Sequence, residues 1–382
     1  MTKGGISDYY EVKIGIDQGE VISPLLWCIY FDPLLCEINQ LNKGYTLTHK
    51  WMSDVSKGTQ QQLQEQIAAL GFMNDANWIS GSLEDLKTIL DVADDFYLLT
   101  RAAINKDKSK LLTNTTTEPD PIPIRFGNTV TTIRPSFGGV RFLGVTINIH
   151  INHAIVKKEL KMHIKRFIKI TKTKPITDRQ FCYIANHVLY PQLLYKMRNT
   201  PLSQAACLSL NQNVRSLYKH KCSFPKTAPN AVFHAKLFYN LNDIWTEQIA
   251  EIFTSLLNQF NTSYTLLFQV SRIRLFRLQQ QELAPTSPLV CWTPIHEFQH
   301  YRFNNVAAQL FLVQQADHQL TFRCNSLLTN QISGGNNALR DVLPPLYLKR
   351  YRAILHKYNL IYREQITSAN GLSLCTWSQF TK

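Results

Sequence analysis

A glycine-punctuated stretch, Gly15-Ile-Asp17-Gln18-Gly19-Glu20-Val-Ile-Ser23-Pro24-Leu25-Leu26, constrains this chain more than any other segment. Its two glycines let the backbone approach a neighbour that a side chain would hold off. Ser23 suits a helix cap and Pro24 the first helical position, so a loop should run into a helix here. Pro33 is expected to kink or end that helix near Asp32. Residues 7–14 alternate loosely and read as the strand leading in. Ile67 to Met73 and Trp78 to Ser80 read as two strands joined at Asn74-Asp75. The glutamine-rich stretch 60–70 is ambiguous. An apolar stripe at Leu86, Ile89, Leu90, Ala93, Phe96 and Tyr97 predicts a helix from about Leu83 to Ala103. Gly138-Gly139 precedes an apolar strand, Val140 to Ile147.

The net charge of +14 is unevenly spread. Residues 1–150 carry 13 Lys and Arg against 17 Asp and Glu, a net of −4. Residues 151–226 carry 15 against 2, a net of +13, and residues 227–382 carry 13 against 8, a net of +5. A concentrated positive block beside an acidic one is the footprint of a polyanion-binding protein, although any single lysine is more often just solvated. Within the basic block, Ile155 to Thr171 reads as an amphipathic helix. Val156, Leu160, Ile164 and Phe167 form its apolar stripe. Lys157, Lys161, Lys165 and Lys169 form an adjacent row at i, i+4 spacing, where like charges repel and phosphates would relieve them. Further helices are expected over Asp178 to Met197 and Ser203 to Lys219, with a boundary near Pro225 and Pro229.

Hydrophobic content of 45% and charged content of 18% describe a globular chain. The first residues show no secretory signal. The apolar run Leu25 to Cys36 is broken by Asp32 and Pro33 and is too short to span a bilayer. Eight scattered cysteines without a C-x-x-C pair suggest free thiols in a reducing, intracellular setting.

Four segments together resemble the reverse transcriptase domain of non-LTR, LINE-type retroelements. Gly15-x-x-Gln18-Gly19-x-x-x-Ser23-Pro24-Leu25-Leu26 resembles the segment around template and incoming nucleotide. Phe72-x-Asn74-Asp75 resembles the catalytic F-x-D-D box. Asn105-x-x-Lys108-Ser109-Lys110 resembles the N-x-x-K-T segment, and Arg141-Phe142-Leu143-Gly144-Val145 the primer grip. The resemblance covers roughly residues 7–150. It implies an α+β fold: a palm remnant (a small antiparallel sheet with helices) over 1–150, a basic helical thumb over 151–226 and a helical C-terminal region over 227–382. It implies RNA-directed DNA synthesis on an RNA template or RNA–DNA hybrid, gripped through the four lysines. Gly15, Gln18, Gly19 and Phe72 would handle template and nucleotide, and Phe142, Leu143 and Gly144 the primer. Lys108 would meet the triphosphate or protonate the leaving pyrophosphate, its plain alternative being a solvated loop lysine. Gln18-Gly19 alone is equally an ordinary strand-to-helix loop, and Leu143-Gly144 a tight bend in the core.

The implied reaction uses two magnesium ions roughly 4 Å apart, held mainly by carboxylates. The family places one aspartate on an early strand and two at the hairpin tip. Here Asn74 takes one tip position and Asp75 remains. The early strand would lie upstream of residue 7, and Asp8 sits on the wrong strand to replace its aspartate. The expectation is therefore weak or lost magnesium binding and no polymerisation by the chain alone. A palm sheet without its early strand would expose an edge for a missing segment or a partner to cover. A non-catalytic nucleic-acid-binding protein derived from a retroelement is the alternative reading, and a remnant without selected function a further one.

His296-Glu297-Phe298-Gln299-His300 satisfies the zinc-protease pattern H-E-x-x-H. Thr293-Pro294 places it in the opening turn of a surface helix. The extended pattern fails, because Phe303 and Val306 replace its Gly and His; Asp317 or His318 would have to supply a third ligand.

Overall fold

The computed structural model describes residues 20–114, 120–126, 129–136, 139–148, 153–316, 326–368, 370–376 and 378. The strand expected over 7–14, Asp8, Gly15, Gln18 and Gly19 all lie outside these residues. The described elements are α1 (Ser23–Gln40), β1 (Tyr45–Asp54), β2 (Thr59–Ile67), β3 (Ala69–Phe72), β4 (Asp75–Trp78) and α2 (Leu83–Thr100). They continue with β5 (Ile122–Phe126), β6 (Thr129–Ile133), β7 (Val140–Phe142), β8 (Val145–Ile147), α3 (His153–Lys172), α4 (Asp178–Ile184) and α5 (Tyr190–Met197). Then come α6 (Gln204–Lys221), α7 (Asn230–His234), α8 (Ile244–Asn261), α9 (Thr265–Gln281), α10 (Asn305–Gln315), α11 (Leu339–Val342) and α12 (Pro345–Lys357). Each strand pairs with its sequence neighbour in a two-stranded sheet, so the fold is α+β with the helices dominant.

The chain packs as two compact units. One comprises 1–47, 66–109 and 120–134, the other 48–65, 110–119 and 135–382. The blocks 1–150, 151–226 and 227–382 are thus divisions by motif and charge, while packing divides the chain elsewhere.

In the first unit α1 and α2 pack together, with the β3–β4 hairpin against them. Phe31, Leu34 and Ile38 are buried on one face of α1, and Ile89, Leu90 and Ala93 on α2. Two expectations for α1 are corrected. Its cap is Ile22, without a side-chain hydrogen bond, so Ser23 opens the helix instead of capping it. The helix also runs through Pro33 to Gln40. An interior proline costs about 3 kcal/mol. Burying Phe31, Leu34 and Ile38 returns about 1.5–3 kcal/mol each, so packing on both sides of Pro33 outweighs the break.

In the second unit the apolar stripe of α3 is buried at Val156, Leu160 and Ile164, with Phe167 half-buried. α3 packs on α5 and α6, and α8, α9 and α10 continue the same core. The helix expected over Asp178 to Met197 is present but interrupted by a π turn, Ala185–Leu189. Pro191 follows within the first turn of α5 and has no N–H to return to residue 187, so a widened turn accommodates its ring. The glutamine-rich stretch is a strand, β2, exposed over its first half and paired with β1. Val140 to Ile147 is a hairpin, not one strand. Phe142 lies opposite Val145 across a two-residue turn in which Leu143 (φ +48°) and Gly144 (φ +80°) are both left-handed. The cysteines among the described residues are free.

Leu160→Ala should lower unfolding free energy by about 2–5 kcal/mol, since Leu160 is fully buried. Lys161→Ala, one residue on and exposed, should change it by less than about 0.5 kcal/mol. Urea titrations of the two variants check this.

Candidate functional site

The Phe72–Asp75 segment is a tight hairpin in which Phe72 lies directly opposite Asp75. The turn falls at Met73-Asn74, one residue earlier than expected, because Asp75 already pairs as the first residue of β4. Met73 takes a left-handed φ of +52°, a conformation costly for a residue with a Cβ. Trp27 of α1 holds the turn by donating its indole N–H to the Met73 carbonyl at 2.5 Å. Phe31 supports the hairpin from below, its ring 6.4 Å from Trp78 and 6.0 Å from Phe96 of α2. Residues 71–75 are all exposed, including Asn74 and Asp75. Among the described residues β3 and β4 pair with no third strand.

At this tip Asp75 is the one carboxylate, Asn74 adds no charge, and among the described residues no three His, Cys, Asp or Glu gather to hold an ion. Lys108 is exposed on a 3-10 turn, Lys106–Lys108. Asn105 caps that turn, its side-chain oxygen accepting the Lys108 N–H at 3.2 Å. The Asn105 of the N-x-x-K segment thus has a structural task that places Lys108. The hairpin tip and this turn belong to the same compact unit.

The Leu143-Gly144 turn is fastened by side chains that the sequence reading passed over. Tyr195 donates its hydroxyl to the Leu143 carbonyl at 2.5 Å. A Cβ on Gly144 would lie 3.3 Å from the Tyr195 ring, so glycine serves both the turn and this close approach. Lys196 of α5 reaches the Gly144 carbonyl at 3.5 Å and pairs with Glu159 of α3 at 2.5 Å. Thr146 of β8 donates to the same carboxylate at 3.0 Å. Burial alone would raise the Glu159 pKa, but the Lys196 and Thr146 hydrogen bonds outweigh it and hold the carboxyl below the usual range. Phe142 is half-buried, as are Leu143 and Gly144. A charged residue on an apolar helix face was the available signal for this clamp, because Glu159 is the lone acid within α3.

The lysine row lies beside the buried stripe of α3. Lys161, Lys165 and Lys169 are exposed and Lys157 is half-buried. Among the described residues none of the four is in an ion pair. Lys158, Arg166 and Lys172 on the same helix are exposed as well. The face therefore presents uncompensated positive charge to solvent.

The H-E-x-x-H segment opens a short 3-10 turn and not an α-helix. His296 is buried, Glu297 precedes the 3-10 turn Phe298–Tyr301, and the two imidazoles stack with centroids 4.8 Å apart. Burial first, then the charges of Arg352, His300 and Lys349, push His296 down to about 4. His296 precedes the turn and His300 lies within it, so the two stacked rings are not placed as two histidines one α-turn apart are. Asp317 and His318 lie outside the described residues.

No protein-family model matches the chain. It is similar to the Retrovirus-related Pol polyprotein from type-1 retrotransposable element R2 of Popillia japonica, with 21% identity over 232 residues. The match covers 59% of this chain and 30% of that protein. This supports a retroelement-related origin. Among the described residues no helix is long and apolar enough to cross a membrane.

Glu159→Gln should destabilise the chain by about 1.5–3 kcal/mol, the usual worth of hydrogen bonds to a charged group. Because the folded-state pKa of Glu159 is lowered, its contribution is complete above the unfolded value near 4.3 and fades as pH falls through the folded value. Denaturation of wild type and variant should therefore differ at pH 7 and converge in strong acid.

Proposed function

We propose that this chain is a degenerate relative of the retroelement reverse transcriptase that binds an RNA template or RNA–DNA hybrid and does not copy it alone. The observation that carries the reading is the lysine row beside the buried stripe of α3, three of its four members exposed and none in an ion pair among the described residues. A row at i, i+4 spacing tracks one side of a helix over about three turns, and each lysine that meets a phosphate releases a counterion. In this reading the β3–β4 hairpin is the palm's catalytic turn, β7–β8 the primer grip and α3 to α6 the thumb. The similarity to the R2 Pol polyprotein supports it, as does a two-residue turn at each hairpin motif.

Loss of copying follows from the ligands. Two divalent ions need several carboxylates, and the tip offers Asp75 beside a neutral amide. Gln18 and the two glycines would face template and nucleotide as the resemblance implies, with Lys108 near the phosphates. Magnesium, when bound, would neutralise phosphate charge; Asp75 would be a ligand to it and Asn74 at most a neutral one.

Two measurements test this. Affinity for a 20-base-pair RNA–DNA hybrid should fall steeply with salt, and Lys157, Lys161, Lys165 and Lys169 all changed to Gln should flatten the log–log slope by about 3–4. A slope unaltered by those substitutions rules out α3 as the grip. Primer extension on a primed RNA template should stay at the no-enzyme blank for wild type and also for Asn74→Asp, which returns one charge of those required. Incorporation by the wild-type chain would refute the loss of chemistry while leaving the binding claim intact.

A further inference from the structure

α12 carries a second surface whose composition the lysine row does not explain. Its inner face is apolar: Leu348 and Leu355 are buried against Leu283, Leu339 and Leu360. Its outer face is aromatic. Tyr347 and Tyr351 are 46% and 42% exposed, one helical turn apart. Their rings are parallel to within 1°, with centroids 6.3 Å apart. The Arg350 guanidinium lies over the Tyr351 ring, 5.6 Å from its centroid. Exposed Leu346 and Ile354 flank the pair.

The charges around these rings have one sign. Lys349, Arg350 and Lys357 are exposed, Arg352 is half-buried, and the helix holds no acidic residue. Among the described residues none of the four is in an ion pair. An amphipathic helix that only covers a core puts polar residues outward; this one spends its exposed positions on flat rings and cations. A hydrophobic partner protein would match the rings but leave four positive charges without counterpart. A nucleic-acid strand with unpaired bases matches both, since bases stack on tyrosine and guanidinium planes while phosphates meet the cations. A duplex does not, because its bases are already stacked on one another.

We infer that α12 is a site for single-stranded nucleic acid, with Tyr347 and Tyr351 as stacking faces and Lys349, Arg350 and Lys357 as phosphate contacts. The site is separate from the α3 row and reads a different feature of the ligand, the exposed base instead of the regular backbone.

A pair of 12-nucleotide, 5′-fluorescein-labelled strands distinguishes base from backbone: oligo(dA), and an abasic strand with the same phosphates. Anisotropy titrations of the full chain should show oligo(dA) bound about tenfold or more tighter than the abasic strand, in line with stacking energies per base. Tyr347→Ala with Tyr351→Ala should abolish that preference, and Tyr347→Phe with Tyr351→Phe should retain it, since phenyl rings still stack. Both positions are exposed, so neither pair of substitutions opens a cavity. The four α3 lysines changed to Gln should weaken any phosphate-driven binding of both strands alike and leave their ratio unchanged, which keeps a failure of the α3 reading apart from a failure of this one. Equal affinity of wild type for the two strands overturns the site. So does an unaltered ratio in the double-alanine protein, which would leave the rings as a face for a protein partner.

Discussion

Val156, Leu160 and Ile164 occupy one face of α3, and their burial fixes the rotation of that helix about its axis. Successive α-helical residues are 100° apart, so a row displaced by one position lies on the neighbouring face along the whole helix. The buried stripe therefore decides where Lys157, Lys161, Lys165 and Lys169 point. It also decides where Glu159 points, and Glu159 joins Thr146 of β8 to Lys196 of α5. One packing face thus sets both an outward field of positive charge and the anchor of the β7–β8 hairpin. Loss of the stripe would release both together.

The lysine row has a cost within the free protein. Like charges at i, i+4 destabilise a helix by about 0.2–0.5 kcal/mol per pair, and the four lysines make three such pairs. Core burial of the same helix is larger, so the fold tolerates the strain. That tolerance makes the row informative. Surface selection for stability alone would intersperse acids, as it does elsewhere in the chain at Lys43–Asp85 and Arg198–Glu251. α12 repeats the pattern with aromatic rings added, so the two helices share charge but differ in what else they can recognise.

Helices with strong apolar periodicity were legible in the sequence. α2 and α3 appear within three residues of their expected ends, because their stripes at Ile89 to Ala93 and Val156 to Ile164 really are the buried faces. Short-range rules failed where tertiary packing overrode them. Pro33 does not end α1, since buried neighbours on both sides keep the helix continuous past it. The tight bend at Leu143-Gly144 is legible, but not that it splits Val140 to Ile147 into a hairpin, because hydrophobicity does not report a φ of +48° at leucine. The glutamine-rich stretch is ambiguous in the sequence because glutamines lack strand propensity; pairing of β2 with β1 supplies the order. The H-E-x-x-H pattern misled in the other direction: a letter match carries no information about whether the two imidazoles converge or stack. Tyr347 and Tyr351 are not legible as a surface in the sequence, because their spacing is equally that of a buried stripe and only exposure separates the two cases.

The hairpin at Asn74 owes its shape to residues other than those at its tip. Its geometry is imposed from outside: Trp27 holds the Met73 carbonyl and the aromatic stack of Phe31, Trp78 and Phe96 carries the strands. Local preference would not choose this turn, for asparagine tolerates a left-handed φ better than methionine, yet the left-handed place falls to Met73. Asparagine and aspartate are nearly the same size, and residue 74 is exposed, so exchanging one for the other leaves those supports untouched. The exchange removes a full negative charge, which is the property a divalent ion requires. The supports therefore set the shape of the turn, and the residue at position 74 sets only the charge that the tip presents.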